Sequence, residues 1–554
     1  MGRVSSVVSR ANQRLSVQLA AVLLAGSTFL SLILGLYRDR LLNGTYAANA
    51  ATGYAGYPIG LDAYTVAFII PDFMFFILVS GALSVTFIPV FNNRLQKGNK
   101  ESAWRLSTSL VNFMALITLA ASLLMIIFAD PLVRYVVGPG LDESARALAV
   151  SMMRVIAINP FLFAISSVIA SIQQAVGRFV FFALAPTIYN LGIIIGLLWF
   201  TNGVTIFGVQ LFEGGIMGVA LGIVLGSMLQ LIVSAVGLIG LGVDYRFKIY
   251  WKNRGFREVL RLLPARSLDQ GMDYVNGIVE TNLASRMVAG SVRFYQQATT
   301  LHSVPINLIG VAISTAAFPQ MTERLSQGRP DLFKAELRTV LRVIIWLALP
   351  TAAIAFFGRG YLVNFLFNGG QPVVASLLGI LVIAILFRSI YHISARSFYA
   401  QQDTKTPLYI SFFTIGLNIA LAIYFTMVLG AGIYGLAWAQ SIVAAVEVVI
   451  LFAIMSMRIR GLFDVAFARA LFGMLLATAL MSIVTYISVK VFALTVNDNS
   501  IVTTLPKFAL ISIVSFASYL FVSSQVFKLD EAAIVTSRLK RLFFSQLGGR
   551  KISQ

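Results

Sequence analysis

The chain has no cysteine among its 554 residues and only two histidines, His302 and His392. Without cysteine it can form no disulfide, no thiolate nucleophile and no cysteine-ligated metal site. Two imidazoles also disfavour a histidine-based metal centre. We therefore expect no metal site in this protein.

Charged residues are scarce as well. They make up 12% of the chain, whereas hydrophobic residues make up 58%. Soluble domains have about 25% charged and about 45–50% apolar residues. Apolar stretches of roughly 20 residues recur along nearly the whole chain, with no polar stretch long enough for a separate soluble domain. The composition therefore predicts an all-α polytopic membrane protein.

Apolar windows predict about fourteen transmembrane helices. The predicted spans lie near residues 17–37, 62–91, 107–129, 146–172, 179–200, 215–242, 258–283, 291–318, 335–357, 373–399, 407–429, 432–454, 465–492 and 504–526.

The net charge is +20, but the basic residues are dispersed between apolar helices. This distribution disfavours nucleic acid as a partner. One set of alternate loops carries most of the basic residues, for example residues 246–257 and the tail after residue 527, whereas the opposite loops are short or nearly neutral. By the positive-inside rule, both termini are expected on the cytoplasmic side.

An internal repeat appears when the second half is aligned with the first at an offset of a little over 200 residues. Segment 87–95 resembles 318–325, with proline and arginine at the same spacing, and 215–220 resembles 432–437. Chance coincidence in a glycine-rich chain is the alternative explanation. The repeat predicts two parallel six-helix lobes, residues 1–250 and 251–460, followed by two extra C-terminal helices and a basic cytoplasmic tail, residues 461–554.

Ionisable groups inside the bilayer should face a cavity or a partner, because a charge at mid-helix costs roughly 2.5 to 3.5 kcal/mol. The densest set lies on the seventh span, where a stripe recurs every three or four residues along one helix face. We interpret this stripe, with one residue of a later span, as candidates for binding a coupling cation. The candidates are Asp269, Asp273, Asn276, Glu280 and Glu447.

Arginines at membrane depth are candidates for holding an anionic headgroup: Arg286, Arg293 and Arg388. The alternative is internal ion pairing, for example between Arg286 and Glu280. Prolines within predicted spans can break helices and act as hinges. The hinge candidates are Pro71, Pro89, Pro305 and Pro319.

Several short motifs occur in order on the predicted helices: SLILGLYRD at 31–39, Asp62 with Pro71, GALSVTFIP at 81–89, GSV at 290–292 and PINLIGVA at 305–312. Together they resemble the MurJ (MviN) family of bacterial lipid II flippases. The resemblance implies the two-lobed fold of the multidrug/oligosaccharidyl-lipid/polysaccharide exporter superfamily and a location in the bacterial inner membrane. It also implies that Arg38, Asp39 and Asp62 take part in binding the substrate.

The resemblance further implies that the chain moves the lipid-linked peptidoglycan precursor from the cytoplasmic to the periplasmic leaflet by alternating access. A membrane potential, sodium or protons would drive the cycle. Some relatives bind sodium with acids on the seventh and eleventh spans, and the eleventh span of this chain has no acid and offers only Asn418 as an ion-coupling candidate. The last two helices would take the lipid tail, and cell-wall synthesis proteins are candidate partners. No nucleotide-binding loop, nucleophile–base pair or metal-ligand set appears, so an enzyme is not expected.

The chain departs from the family at several charged positions. Leu32 occupies a position where the family has an arginine, and Ser80 one where it has a glutamate. Phe75 and Phe76 lie near the position of a basic pair of the family. Thr299 and Thr300 occupy the positions of an Asp-Arg pair of the family. Two alternatives therefore stay open. One is an exporter of another lipid-linked glycan, or a drug/cation antiporter of the same superfamily. The other is a non-transporting scaffold in cell-wall assembly.

Overall fold

The computed structural model describes residues 17–46, 59–79, 82–206, 209–212, 214–495, 497–533 and 536. The first half contains α1 Val17–Thr45, α2 Ile59–Leu78, α3 Ala82–Gln96, α4 Lys100–Ile127, α5 Ala129–Pro131, α6 Glu143–Ile156, α7 Asn159–Val176, α8 Val180–Trp199, α9 Met217–Val236 and α10 Arg254–Ser285. The second half contains α11 Ser291–Pro305, α12 Ala312–Ser326, α13 Pro330–Phe357, α14 Arg359–Asn364, α15 Pro372–Ala400, α16 Lys405–Ile423, α17 Ile433–Arg458, α18 Val465–Val491 and α19 Ile501–Phe521.

Shorter elements interrupt or extend these helices. The described residues include four π-helical segments, at Leu132–Val137, Ile306–Val311, Tyr424–Val428 and Val522–Val526, and a 3-10 turn at Phe200–Asn202. Strands β1 Val204–Ile206 and β2 Val209–Phe212 form a short antiparallel pair between α8 and α9.

The helices match the predicted spans. Among the described residues, 12 helices are long and apolar enough to cross a membrane, and the long helices α1 and α10 account for the remaining predicted spans. The predicted span 62–91 corresponds to α2 and α3, with residues 80 and 81 outside the described part. The prediction of an all-α membrane fold is confirmed.

Short polar side chains set the start of several helices. Asn99, Asp142, Asp464 and Ser500 each accept a hydrogen bond from a backbone N–H in the first turn of α4, α6, α18 and α19. Such caps satisfy N–H groups that have no partner within the helix. They fix where each helix begins after its loop.

The chain divides into two compact units, the first ending at Arg293 and the second beginning at Phe294. In the first, Phe87, Phe91 and Phe256 pack α3 and α10 into one core. In the second, Trp346 and Tyr519 pack α13 against the C-terminal helices. The first unit includes α10, although the sequence assigned that helix to a lobe of residues 251–460. The assignment of functional lobes stays a prediction.

Helices α8 and α9 cross at a pair of glycine faces. A Cβ atom on Gly192 would lie 2.2 Å from the Cα of Gly226, and one on Gly196 would lie 2.5 Å from the Cα of Gly222. Small residues at this spacing let two membrane helices approach until their backbones touch. Glycine is therefore required at this crossing.

The loop after α18 is held by a buried carboxylate. Asp498 accepts hydrogen bonds from the Thr495 backbone N–H at 2.7 Å and from the Lys507 ammonium at 2.7 Å. The Asn364 side chain donates to the Asp498 carbonyl at 2.9 Å. Hydrogen bonding to Lys507 and to Thr495 lowers the pKa of Asp498 to about 2.

This loop is expected to loosen only in strong acid. Because the pKa of Asp498 is lowered on folding, its stabilising contribution is full above about pH 4 and is lost as the pH falls through about 2. A Lys507→Met substitution should move this loss towards pH 4. Pepsin cleavage of the loop, followed between pH 4 and pH 2, measures the shift. Identical cleavage profiles for both proteins would contradict the assignment.

Candidate functional site

Four charged residues that the sequence singled out come together in the first unit. Arg38 and Asp39 lie near the end of α1, Asp62 lies in the first turn of α2, and Arg293 lies in the first turn of α11. Only 6% of Asp39, 4% of Asp62 and 2% of Arg293 is solvent-exposed. Because isolated charges are costly to bury, their contacts with one another decide whether this cluster is stable.

Asp62 binds the start of α11. One carboxylate oxygen accepts a hydrogen bond from the Gly290 N–H at 2.5 Å, and the other accepts one from the Arg293 N–H at 2.9 Å. Gly290 has φ of 93°, a conformation that favours glycine. The carboxylate thus caps α11 from another helix, at the end where the helix dipole favours negative charge.

The Arg293 side chain extends the cluster to α1. Its Nε and Nη2 donate to the Asn43 side-chain oxygen at 3.1 and 3.0 Å, and Nη2 lies 3.5 Å from an Asp39 carboxylate oxygen. The guanidinium also lies over the Tyr64 ring, 5.7 Å from its centroid. Arg293 is therefore neutralised and almost completely enclosed.

Arg38 completes the cluster on its other side. Its Nη2 donates to Asp39 at 3.1 Å, and its Nη1 donates to the Asn190 side-chain oxygen on α8 at 3.0 Å. Two arginines thus face two aspartates, with no net charge. We call Arg38, Asp39, Asn43, Asp62 and Arg293 the charge cluster. Sequence reasoning missed Asn43, although it lies one helical turn beyond Asp39 on the same face of α1.

The remaining candidates of α10 lie outside the charge cluster. Arg286, which follows α10, is exposed and donates from Nε to the Asn282 side chain at 3.1 Å. Asn276 donates to Glu280 at 3.0 Å, so half of the predicted stripe is joined by a hydrogen bond. Asp269 and Asp273 lie in α10, but their side chains lie outside the described part. The coupling-cation role of the stripe stays a prediction.

In the second unit, a predicted headgroup arginine and a predicted ion-coupling acid form a pair. Arg388 Nη1 on α15 lies 3.1 Å from Glu447 Oε2 on α17. The Ser411 and Thr414 hydroxyls donate to the other Glu447 oxygen, both at 3.2 Å. Asn418 is also buried, on α16. The carboxylate is thereby fully engaged in holding three helices together.

This pair is expected to be coupled energetically. A Glu447→Gln substitution should destabilise the protein by about 2 kcal/mol, because Arg388 loses a hydrogen bond to a charged acceptor. The Arg388→Met/Glu447→Gln double variant should lose less than the sum of the two single variants. Thermal unfolding in detergent of the parent, the two single variants and the double variant measures the coupling energy of the pair. Additivity within about 0.5 kcal/mol would show that the pair contributes nothing.

The proline candidates occupy two kinds of position. Pro71, Pro89 and Pro319 lie inside α2, α3 and α12. Pro305 ends α11, and a π-helical segment, Ile306–Val311, follows it directly. Proline removes a backbone donor and so permits such irregular turns. A hinge role for these residues stays a prediction.

Comparison with known proteins identifies the family. A family model described as "Lipid II flippase MurJ" matches residues 53–507, most of the chain. The chain belongs to the MurJ family. A probable lipid II flippase MurJ of Thermotoga maritima is 26% identical over 467 residues, covering 82% of this chain and 88% of that protein. The lipid II flippase MurJ of Burkholderia cenocepacia is 26% identical over 408 residues, covering 71% and 75%.

Solved structures show the same fold. A lipid II flippase MurJ in an inward closed conformation has a TM-score of 0.72 at 24% identity, covering 91% of this chain and 98% of that one. An inward-facing multidrug resistance MATE transporter of the MOP superfamily has a TM-score of 0.65 at 16% identity, covering 78% and 95%. The MurJ-family chain therefore has the exporter fold of that superfamily, as the sequence motifs indicated.

Proposed function

We propose that this chain is a lipid II flippase, which carries the lipid-linked peptidoglycan precursor from the cytoplasmic to the periplasmic leaflet by alternating access. The observation that carries the proposal is the family match over residues 53–507, which includes Asp62 and Arg293 of the charge cluster. The protein acts as a transporter rather than a catalyst. We propose that this multi-pass protein lies in the bacterial inner membrane, and the basic residues of alternate loops support a topology with both termini in the cytoplasm.

The charge cluster supports a role as a latch. By the predicted topology, the end of α1 and the starts of α2 and α11 lie on the periplasmic side. In the structure, the Arg293 side chain binds Asn43 and Asp39, and the backbone N–H groups at the start of α11 bind Asp62. Release of these contacts would separate α1, α2 and α11 at their periplasmic ends and would free the guanidinium groups of Arg38 and Arg293. Guanidinium groups suit a pyrophosphate because they bind its oxygens in a bidentate manner.

The latch also suggests how the arginines keep an anionic partner during the transport cycle. A buried arginine without a partner is strongly disfavoured. The aspartates neutralise the arginines when the latch is closed, and the substrate pyrophosphate would do so when it is open. The two guanidinium groups then have an anionic partner in each state.

We propose that a membrane potential or an ion gradient supplies the energy for transport. No nucleotide-binding loop was found in the sequence, so a membrane potential, sodium or protons would drive the cycle. Glu280 on α10 is buried and accepts a hydrogen bond from Asn276, and this acidic site supports cation coupling. Glu447 on α17 would have to leave its ion pair with Arg388 to take a cation. Cell-wall synthesis proteins are proposed as partners because they make and consume the precursor.

A different lipid-linked glycan is the second candidate substrate. Near the position of the family's basic pair, Phe75 packs edge-to-face on Phe163, and Phe76 stacks on Tyr274 with ring centroids 4.2 Å apart. Aromatic surfaces of this kind bind the apolar faces of sugars or a lipid tail rather than a phosphate. This observation favours an altered headgroup preference.

Depletion of the resident lipid II flippase in a bacterium separates the two substrates. The chain is expressed in the depleted cells, and the accessibility of labelled lipid II at the periplasmic face is measured. Restored accessibility, lost with Arg38→Ala, is the expected result. Stable membrane expression without any accessibility would overturn lipid II as the substrate and favour another lipid-linked glycan.

A further inference from the structure

The loop between α9 and α10 is fixed against α4. The Asn112 side-chain nitrogen donates to the carbonyls of Arg246 at 2.9 Å and Lys248 at 3.1 Å. The Tyr250 N–H donates to the Ser109 hydroxyl at 2.8 Å. Because these contacts fix the loop backbone before any ligand arrives, the entropic cost of ordering the loop on binding is reduced.

An apolar cavity of about 450 Å³ lies beneath this loop, between α4 and α7. Its walls include Leu116, Leu119, Phe161, Ile165 and Ile169. Leu116 is 59% exposed and Leu119 is 38% exposed, so the cavity reaches the side of the helix that faces lipid. Its walls fit an acyl chain.

A second cavity, of about 820 Å³, is lined by the preceding turns of α4. Arg105 and Lys248 line this cavity, whereas their chain neighbours Thr108 and Phe247 line the first. Five cationic side chains line it: Arg94, Arg105, Lys248, Lys252 and Arg254. Glu101 is the acid among its lining residues, and it pairs with Arg105. The Arg94 Nε atom is buried without a hydrogen-bond partner. The cavity therefore carries a large excess of positive charge.

We infer that these two cavities together bind one anionic glycerophospholipid of the cytoplasmic leaflet. The phosphodiester headgroup lies among the cations and one acyl chain enters the apolar cavity. The positive-inside rule accounts for basic residues in this loop, but it does not account for a basic cavity and an apolar cavity lined by neighbouring residues of the same helix and loop. Phe247, which is 94% exposed between Arg246 and Lys248, fits an aromatic anchor at the membrane interface.

The site is separate from the charge cluster, and its occupant is not the transported substrate. By the predicted topology, it lies at the cytoplasmic end of α4, whereas the charge cluster lies at the periplasmic end of α1. Lipid binding can therefore be measured without any transport assay, and a failure of the proposed flipping would leave this inference standing.

Native mass spectrometry of the full-length protein measures the binding. Palmitoyl-oleoyl phosphatidylglycerol and palmitoyl-oleoyl phosphatidylcholine are titrated separately, and phosphatidylglycerol is expected to bind at least tenfold more tightly. The Lys248→Gln/Lys252→Gln variant should bind phosphatidylglycerol roughly thirtyfold more weakly, because each cation near the membrane surface contributes about 1 kcal/mol. Both changed side chains are exposed. Ala115→Phe, which fills the apolar cavity, should weaken binding of both lipids.

The matched control is Lys405→Gln/Arg460→Gln, which removes two exposed cations of the second unit and should leave the affinity unchanged. Equal affinity of the parent protein for the two lipids would overturn the inference, as would an equal loss in the control. Displacement of phosphatidylglycerol by millimolar inorganic phosphate, with no effect of Ala115→Phe, would identify a free-phosphate site instead of a lipid site. Size-exclusion profiles verify that each variant is folded.

Discussion

The Asp62→Ala variant is expected to lose about hundredfold in lipid II transport while remaining folded in the membrane. The substitution removes two hydrogen bonds to a charged acceptor, from the Gly290 and Arg293 N–H groups, each worth roughly 1.5–3 kcal/mol. It also leaves the buried Arg293 guanidinium with less negative charge around it. A loss of about 3 kcal/mol from the closed latch shifts that equilibrium by about two powers of ten.

Opening of the latch can be measured directly because the chain has no cysteine of its own. Ser291 is 7% exposed beside the cluster, so a Ser291→Cys thiol should react slowly with a membrane-impermeant maleimide. Adding Asp62→Ala should speed that reaction at least tenfold. A Thr45→Cys thiol, at an exposed position, should react at the same rate in both backgrounds.

The matched control for lost capping is Asp142→Ala. Asp142 also caps a helix, accepting a hydrogen bond from the Ala145 N–H at 2.8 Å, but it is far in sequence from the charge cluster and pairs with none of its residues. This variant should lose about 1 kcal/mol of stability and retain transport. Equal transport by the Asp62→Ala and parent proteins would show that the cluster is only structural.

The Gly192→Leu variant is expected to destabilise the first unit by about 3 kcal/mol or more. An added Cβ would lie 2.2 Å from the Cα of Gly226, and neither backbone can yield without separating α8 from α9. Overpacking of this kind typically costs about 1–3 kcal/mol and more where backbone must move. Detergent-solubilised protein should aggregate at a markedly lower temperature and accumulate poorly.

Gly416→Leu supplies the control for this effect. Gly416 lies on α16 with nothing within 4 Å of an added Cβ, so leucine there should leave the aggregation temperature unchanged. If Gly192→Leu behaves like Gly416→Leu, the close crossing of α8 and α9 does not stabilise the fold.

The spans were predictable because hydropathy is a local property of the sequence. Apolar windows located every long helix, including the polar α10. Arg293 was singled out as an arginine at membrane depth, whereas Arg38, Asp39 and Asp62 were singled out by the family resemblance. A buried charge requires a partner, and the structure supplies partners among these four residues. Which charge faces which could not be predicted, because it depends on how each helix is rotated about its axis.

Neutral partners carried a weaker signal. Asn43 and Asn190 both bind arginines of the cluster, but an asparagine carries no charge and so does not by itself require an oppositely charged partner. Arg388 and Glu447 were predicted for separate roles, in headgroup binding and ion coupling, because they are far apart in sequence. Their pairing at 3.1 Å depends on the packing of α15 against α17, which the sequence pattern does not specify.

Transport of lipid II by the purified protein in liposomes tests the central claim most directly. Fluorescent lipid II is reconstituted in both leaflets, and an impermeant reductant added outside quenches what reaches the outer leaflet. The parent protein should drive quenching well beyond the outer-leaflet fraction, whereas empty liposomes and Asp62→Ala liposomes should stop near one half. Quenching by the parent that stops at the level of empty liposomes, with the protein intact in the membrane and a potential imposed, would contradict the assignment of this chain as a lipid II flippase.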